Sequence, residues 1–249
     1  MSRIKFLNIE VDNLTMDESV QRADELIQEN RFQEHRCSYV VTPNLDHIVQ
    51  IEKDPLFKEV YDNADLILTD GKPLIWISKF KKNPIKEKVS GSDFFPRICE
   101  LSARKGYKIF ILGAAVGVAD IAAKNLKNKY QNLQVVGIYS PPFGFENNQD
   151  EIKHICSLLK ESKPDILACA LGAPKSEKFV YKHLKELNVP LSMSIGATID
   201  FEAGVVKRAP KWMSDFGLEW FYRMIKDPKR LVKRYFNDVI GIIPILFKY

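Results

Sequence analysis

The 249-residue chain lacks most of the signals that announce an enzyme class. It has no Walker loop, no GxSxG elbow, no complete GxGxxG fingerprint and no D-x-D pair of the kind that holds Mg²⁺ or Mn²⁺ on a nucleotide diphosphate. The four histidines, His35, His47, His154 and His183, have no ligand-like spacing, so no metal and no cofactor is expected. The four cysteines, Cys37, Cys99, Cys156 and Cys169, form no CxxC pair and read as buried free thiols in a reducing cytoplasm. No apolar run reaches the ~18 residues that cross a bilayer. The opening MSRIKFLNIEVDNL lacks the apolar segment of a secretory signal. Internal repeats and low-complexity linkers are absent too.

What is present is enough apolar material for a substantial core: 45% of residues are hydrophobic and 28% charged. That fits one α/β domain with an appendage, or two small domains. The net charge of +5 is unevenly spread. From Gly204 to Tyr249 ten Lys/Arg stand against four Asp/Glu, while the 27 and 28 in the remainder nearly cancel. A nucleic-acid partner is therefore poorly supported, and a local electrostatic device at the C-terminal end is well supported.

Short apolar runs at 36–42, 65–69, 108–112, 134–139, 165–170 and 191–195 alternate with helical patterns at about 54–63, 93–105, 115–130, 149–161 and 175–187. Continuous apolar strands alternating with helices predict a Rossmann-like, mostly parallel sheet covered on both faces. Ligands of such sheets bind beyond the carboxyl ends of the strands. Here those ends read TPNLD, TDGKP, LGAAVG, YSPPFGF, LGAPKSEK and IGATIDFEAG, which suggests one shared cleft.

Asp70 follows the greasy run LILT and precedes a glycine. Asp-Gly is an ordinary turn dipeptide, but a carboxylate at the end of a central strand is also a candidate general base, because partial desolvation raises its basicity. Gly113 lets the backbone approach a ligand at a helix start, where free N–H groups hold phosphate; a plain strand-to-helix turn explains it equally. Gly172 and Pro174 lead into another helix start, and Lys175 in its first turn opposes the helix dipole unless an anion sits opposite. Glu177 reads either as a favourable first-turn acid or as a partner for sugar or ribose hydroxyls. Thr42 and Asn44 are neutral groups suited to a sugar, or a cap for the next helix. From Trp220 onward apolar residues recur at helical spacing on either side of Pro228, with Arg223, Lys226, Arg230, Lys233 and Arg234 between them. An interfacial membrane helix, a helix packed on the domain, and arginines turned inward to a diphosphate are all open readings.

The ordered strings TPN, ADLILTDGKP, GSD, ILGAA, LGAPKSEK, GATIDFEAG and RAPKWMSDFGLEWFYR resemble the WecG/TagA/CpsF glycosyltransferases over about residues 5 to 236. The resemblance implies an inverting, metal-independent transferase at the cytoplasmic membrane face. It would move an N-acetylmannosamine-type sugar from UDP to a polyprenyl-diphosphate-linked amino sugar, in teichoic acid or other surface polysaccharide synthesis. It implies Asp70 as base, Thr42 and Asn44 as sugar contacts, and Arg223, Arg230 and Arg234 closing over the diphosphate. Gly113, Gly172, Lys175, Glu177, Asp200 and Arg208 complete the expected substrate-binding set. Ser176 stands where many members carry glutamine, and it cannot reach as far. The expected division is a catalytic domain over 1–203 and a membrane-binding, site-closing appendage over 204–249, with self-association left open. The competing expectations are a membrane-docked UDP-sugar sensor without catalysis and a nucleotide-sugar dehydrogenase or epimerase, against which the missing dinucleotide fingerprint speaks.

Overall fold

A computed structural model describes residues 3–33 and 37–249, apart from the side chains of Lys211, Asp215 and Arg230. A hairpin of β1 (Arg3–Phe6) and β2 (Ile9–Asp12) leads into α1 (Met16–Asn30), β3 (Ser38–Val41), α2 (Leu45–Ile51), α3 (Pro55–Asp62) and β4 (Leu66–Ile67). Next come α4 (Lys72–Phe80), α5 (Gly91–Lys105), β5 (Lys108–Gly113), α6 (Val118–Lys129), β6 (Gln134–Tyr139) and α7 (Gln149–Ser162). β7 (Ile166–Ala170), α8 (Lys175–Leu187), β8 (Leu191–Ser194) and α9 (Thr198–Glu202) follow. The chain finishes with α10 (Lys211–Asp215), α11 (Glu219–Lys226) and α12 (Pro228–Lys248).

The caps explain several of these boundaries. Thr15 and Glu18 form a reciprocal capping box at α1, and Asn44, Asp54, Ser90 and Asn148 cap α2, α3, α5 and α7. Pro55 and Pro228 stand in first turns, where a missing N–H costs nothing. α6 starts later than its sequence pattern suggests, because Ala114 and Gly117 take positive φ and hold 114–117 as a loop.

The six longer-range strands pair in the order β4-β3-β8-β7-β5-β6, every pair parallel. Alternate strand residues feed two cores. Tyr39, Val41, Phe110, Leu112 and Leu167 face α2, α3, α7 and α8, while Val40, Ile109, Ile111, Ile166 and Met193 face α1, α5 and α6. The connections leaving β3 and β5 run outward in opposite directions, to β4 and β6, so a crevice opens above β8 and β7 between them.

The C-terminal helices pack onto this frame. Ile242 and Ile245 of α12 are buried in the same core as Val49 and Ile48 of α2. Gly241 makes the close approach: a Cβ there would lie 2.5 Å from Val49 Cγ1. The other side of α12 leaves Val232, Phe236, Val239, Ile240 and Ile243 exposed, so the helix is at once packed and apolar toward the outside. Among the described residues no helix is long and apolar enough to cross a membrane.

Candidate active site

Asp70 sits on the rim of the sheet. Its N–H donates to the Pro43 carbonyl (2.8 Å), which ties the end of β4 to the end of β3. Gly71, at φ 99°, turns the chain into α4. The carboxyl is half-buried. Burial pushes it up to about 6; Glu219 and Asp93 push the same way, and the cations of Lys88 and Arg223 partly offset them. At neutral pH it is therefore ionised yet far more basic than an exposed aspartate.

Beside it lies a second carboxylate with the opposite tuning. Ser90 caps α5 and donates its hydroxyl to Asp93 Oδ2 (2.6 Å). Lys88 Nζ meets the same oxygen at 2.9 Å, and Arg208 Nη2 meets Oδ1 at 2.5 Å and Ser92 Oγ at 3.0 Å. Burial alone would raise the Asp93 carboxyl, but these hydrogen bonds outweigh it and hold it to about 2. Two neighbouring carboxyls pushed apart in this way suit different tasks, one a base and one a permanent anchor for cations.

The C-terminal segment covers this corner. Glu219 and Arg223, one turn apart on α11, supply charge to Asp70. Arg223 and Arg208 both lie over the Phe201 ring of α9, at 5.9 and 5.6 Å. Gly217 packs on α4 so tightly that a Cβ would lie 2.8 Å from Trp76 Cζ2. Arg234 instead pairs with Asp46 of α2 (2.7 Å), close behind Asn44. The backbone of Arg230 lies in the first turn of α12, and its side chain, like His35, falls outside the described residues.

At the end of β3, Thr42 is half-buried and faces the start of α5, where a Cβ on Gly91 would stand 3.3 Å from its hydroxyl. Asn44 does cap α2: its Oδ1 accepts from the His47 N–H (3.1 Å), which occupies the oxygen and not the amide nitrogen. His47 is a core residue, 2.6 Å from the Tyr61 hydroxyl and held down to about 4 by burial.

Across the crevice, Gly113 has φ 107°, and a Cβ there would lie 2.6 Å from the Ala170 carbonyl oxygen, so only glycine fits. Gly172, at φ 80°, turns the chain into α8. A cleft of about 260 Å³ is lined here by Gly113, Pro141, Pro142, Phe143, Leu171 and Lys175. The expected anion opposite Lys175 is Glu146, at 2.8 Å, with the ammonium 4.7 Å from the centre of the exposed Phe143 ring. Ser176 is turned inward: it accepts from the Leu171 N–H and donates to the Cys169 carbonyl, closing the loop before α8. Glu177 is buried as well, pushed up to about 7, and its Oε2 has no hydrogen-bond partner among the described residues. Asp200 is half-buried on α9.

The sequence assigns no chemistry to Lys88, Phe201 or Glu219 and offers Asp93 only as a helix start, although GSD, DFEAG and GLEW contain three of them. Lys88 lies in a lysine-rich loop where nothing distinguishes it from its neighbours. Among the described residues no three His, Cys, Asp or Glu side chains gather as a metal site. All four cysteines are free; Cys99 and Cys169 are buried, and Cys37 and Cys156 only half so.

Comparison with known proteins places the chain in a family. The chain is 28% identical over 197 residues to the N-acetylglucosaminyldiphosphoundecaprenol N-acetyl-beta-D-mannosaminyltransferase of Bacillus spizizenii, covering 79% of this chain and 74% of that one. It is 30% identical over 178 residues to the protein of the same name from Bacillus subtilis, covering 72% and 67%. Against that of Staphylococcus aureus it is 24% identical over 230 residues, covering 92% and 87%. A family profile matches residues 4–249, and the chain belongs to the glycosyl transferase WecG/TagA/CpsF family.

Proposed function

We propose that the protein is an inverting hexosyltransferase. It moves an N-acetylmannosamine-type sugar from a UDP-sugar to a polyprenyl-diphosphate-linked amino sugar for teichoic acid or a related surface polysaccharide, at the inner face of the cell membrane. In support, the relatives' names describe transfer of an N-acetyl-beta-D-mannosaminyl group to N-acetylglucosaminyldiphosphoundecaprenol. The observation that carries the reading is Asp70: a carboxyl on the sheet rim, raised to about 6, with Lys88 and Arg223 as its facing cations.

In this reading UDP lies across the ends of β5 and β7, near Gly113, Gly172 and Lys175, and its diphosphate competes with Glu146 for the lysine. Thr42, the Asn44 amide and Asp200 serve hydroxyls of sugar and nucleotide. Asp70 takes the proton from an acceptor hydroxyl, and the oxygen attacks the anomeric carbon from the face opposite UDP. The bond from that carbon to the diphosphate oxygen breaks, its electron pair leaves with UDP, and a single displacement inverts the centre. Arg223 and Arg208, with Arg230 and Arg234 from the same segment, meet the growing negative charge, so the reading needs no metal ion. The segment 204–249 acts as the appendage that closes the site and meets the membrane.

The test is released UDP, measured with purified protein, a panel of UDP-sugars and a synthetic polyprenyl-diphosphate acceptor, with and without EDTA. Acceptor-dependent release from the N-acetylmannosamine donor, unchanged by EDTA, is expected. Binding of UDP-sugar without any transfer, or loss of transfer on chelation, overturns the reading.

A further inference from the structure

The charge totals conceal a second basic stretch. From Gly71 to Lys86 the chain carries five lysines and no Asp or Glu. Most of this stretch is α4, which buries Leu74, Ile75 and Ser78 and turns Lys72, Trp76, Lys79 and Phe80 along one outward stripe. Trp76 is 51% and Phe80 84% exposed, large values for such side chains. Lys72, Lys79 and Lys82 form no ion pair within the described residues.

This stripe is continuous with the C-terminal segment at both ends. Gly217 packs against Trp76 and Lys72, and its neighbour Phe216 is 71% exposed. At the other end Lys81 Nζ donates to the Leu246 carbonyl (2.7 Å), and the adjacent Phe247 is 88% exposed. Outward aromatic residues among unpaired lysines are the composition of a surface that sits in the headgroup layer of an anionic bilayer.

We infer that α4, a helix of the catalytic domain, is part of the membrane-seating surface: Trp76 and Phe80 enter the boundary between headgroups and acyl chains, and Lys72, Lys79 and Lys82 meet lipid phosphates. This rests on the reading that the C-terminal segment seats the protein on a bilayer. It adds a consequence for the chemistry. α4 begins directly after Asp70-Gly71, so seating α4 fixes the height of Asp70 above the lipid, and the lipid-linked acceptor reaches the carboxylate along this helix.

The experiment uses the full chain with phosphatidylglycerol–phosphatidylethanolamine vesicles whose acyl chains carry bromine. One variant keeps Trp76 as sole tryptophan (Trp212→Phe, Trp220→Phe), and another keeps Trp220 (Trp76→Phe, Trp212→Phe). Quenching and a blue shift of Trp76 are expected. In otherwise wild-type protein, Trp76→Ser with Phe80→Ser should weaken vesicle partitioning about tenfold with the melting curve retained, and Trp76→Phe should restore most of it. A quenched Trp220 beside an unquenched Trp76 overturns the role of α4 and leaves the seating reading intact. Absence of vesicle binding by the full chain overturns both. A Trp76 that is shielded because light scattering shows two copies joined through this stripe also overturns the inference.

Discussion

Asp70→Asn separates two consequences of one buried charge. The carboxyl stands at about 6 instead of its ordinary 3.8, with burial as the main cause. Between those values the folded protein holds a proton that the unfolded chain has already released. Stability therefore falls as pH rises through that window, and the full cost is present above about 6. A shift of roughly two units corresponds to about 3 kcal/mol. Asp70 is partly exposed, and solvent screening brings this to about 1–2 kcal/mol. Asparagine recovers that amount near pH 8 and almost none near pH 4. For a chain of this length each kcal/mol is worth ~2–4 °C, so the variant should melt several degrees higher near pH 8. Its turnover should fall ~10²–10⁴-fold, with UDP binding nearly intact. Calorimetry at both pH values and the UDP-release assay read the two effects in one preparation. Full turnover removes Asp70 from the chemistry. An inactive variant that melts no higher than its parent near pH 8 refutes the claim that desolvation makes this carboxylate basic.

Further outcomes rest on the same structure. The activity of the parent should drop as pH falls through about 6, and Lys88→Met, which removes a facing cation, should move that limb to higher pH; an unmoved limb separates Lys88 from Asp70. Phe201→Leu should lower kcat ~2–5-fold, the value of a partly exposed cation–π contact, with KM for the donor little changed in steady-state kinetics. Gly113→Ala must place a Cβ 2.6 Å from a carbonyl oxygen, and should cost roughly 2–4 kcal/mol in urea unfolding. Deleting the chain after Gly217 uncovers the sites of Leu231, Ile242 and Ile245, each worth ~1.5–3 kcal/mol, so the truncated protein should lose stability in urea as well as activity.

The strands were legible in the sequence because a parallel sheet buried on both faces leaves uninterrupted apolar runs, as in KIFIL and DILACA. The main helices were legible through their periodicity, although the caps of α5 and α7 are Ser90 and Asn148 and not the expected helix starts Asp93 and Gln149. The β1–β2 hairpin and α1 were not picked out, although TMDE at Thr15–Glu18 spells the capping box that the structure forms. Asp70 could be suspected from its place after a greasy strand. Of its partners, Arg223 is expected through the family resemblance, but Lys88 and Asp93 could not be, because nothing in their local sequence says that the start of α5 folds against the end of β4. Glu177 shows the opposite limit. A first-turn acid looks solvent-facing in a linear reading, and only the packing of α8 on the sheet reveals it as buried. A whole-chain charge balance likewise hid the lysines of α4 behind acids that lie elsewhere.

The Phe201 ring has a further consequence. An aromatic face attracts a guanidinium without cancelling its charge, so Arg223 can be immobilised in advance and still keep its positive potential. A carboxylate in the same place would fix the arginine equally well and leave little attraction for a departing anion. In the proposed mechanism a neutral shelf thus spares Arg223 the exchange of partners that Arg208, held by Asp93, and Arg234, held by Asp46, would have to undergo on every catalytic cycle.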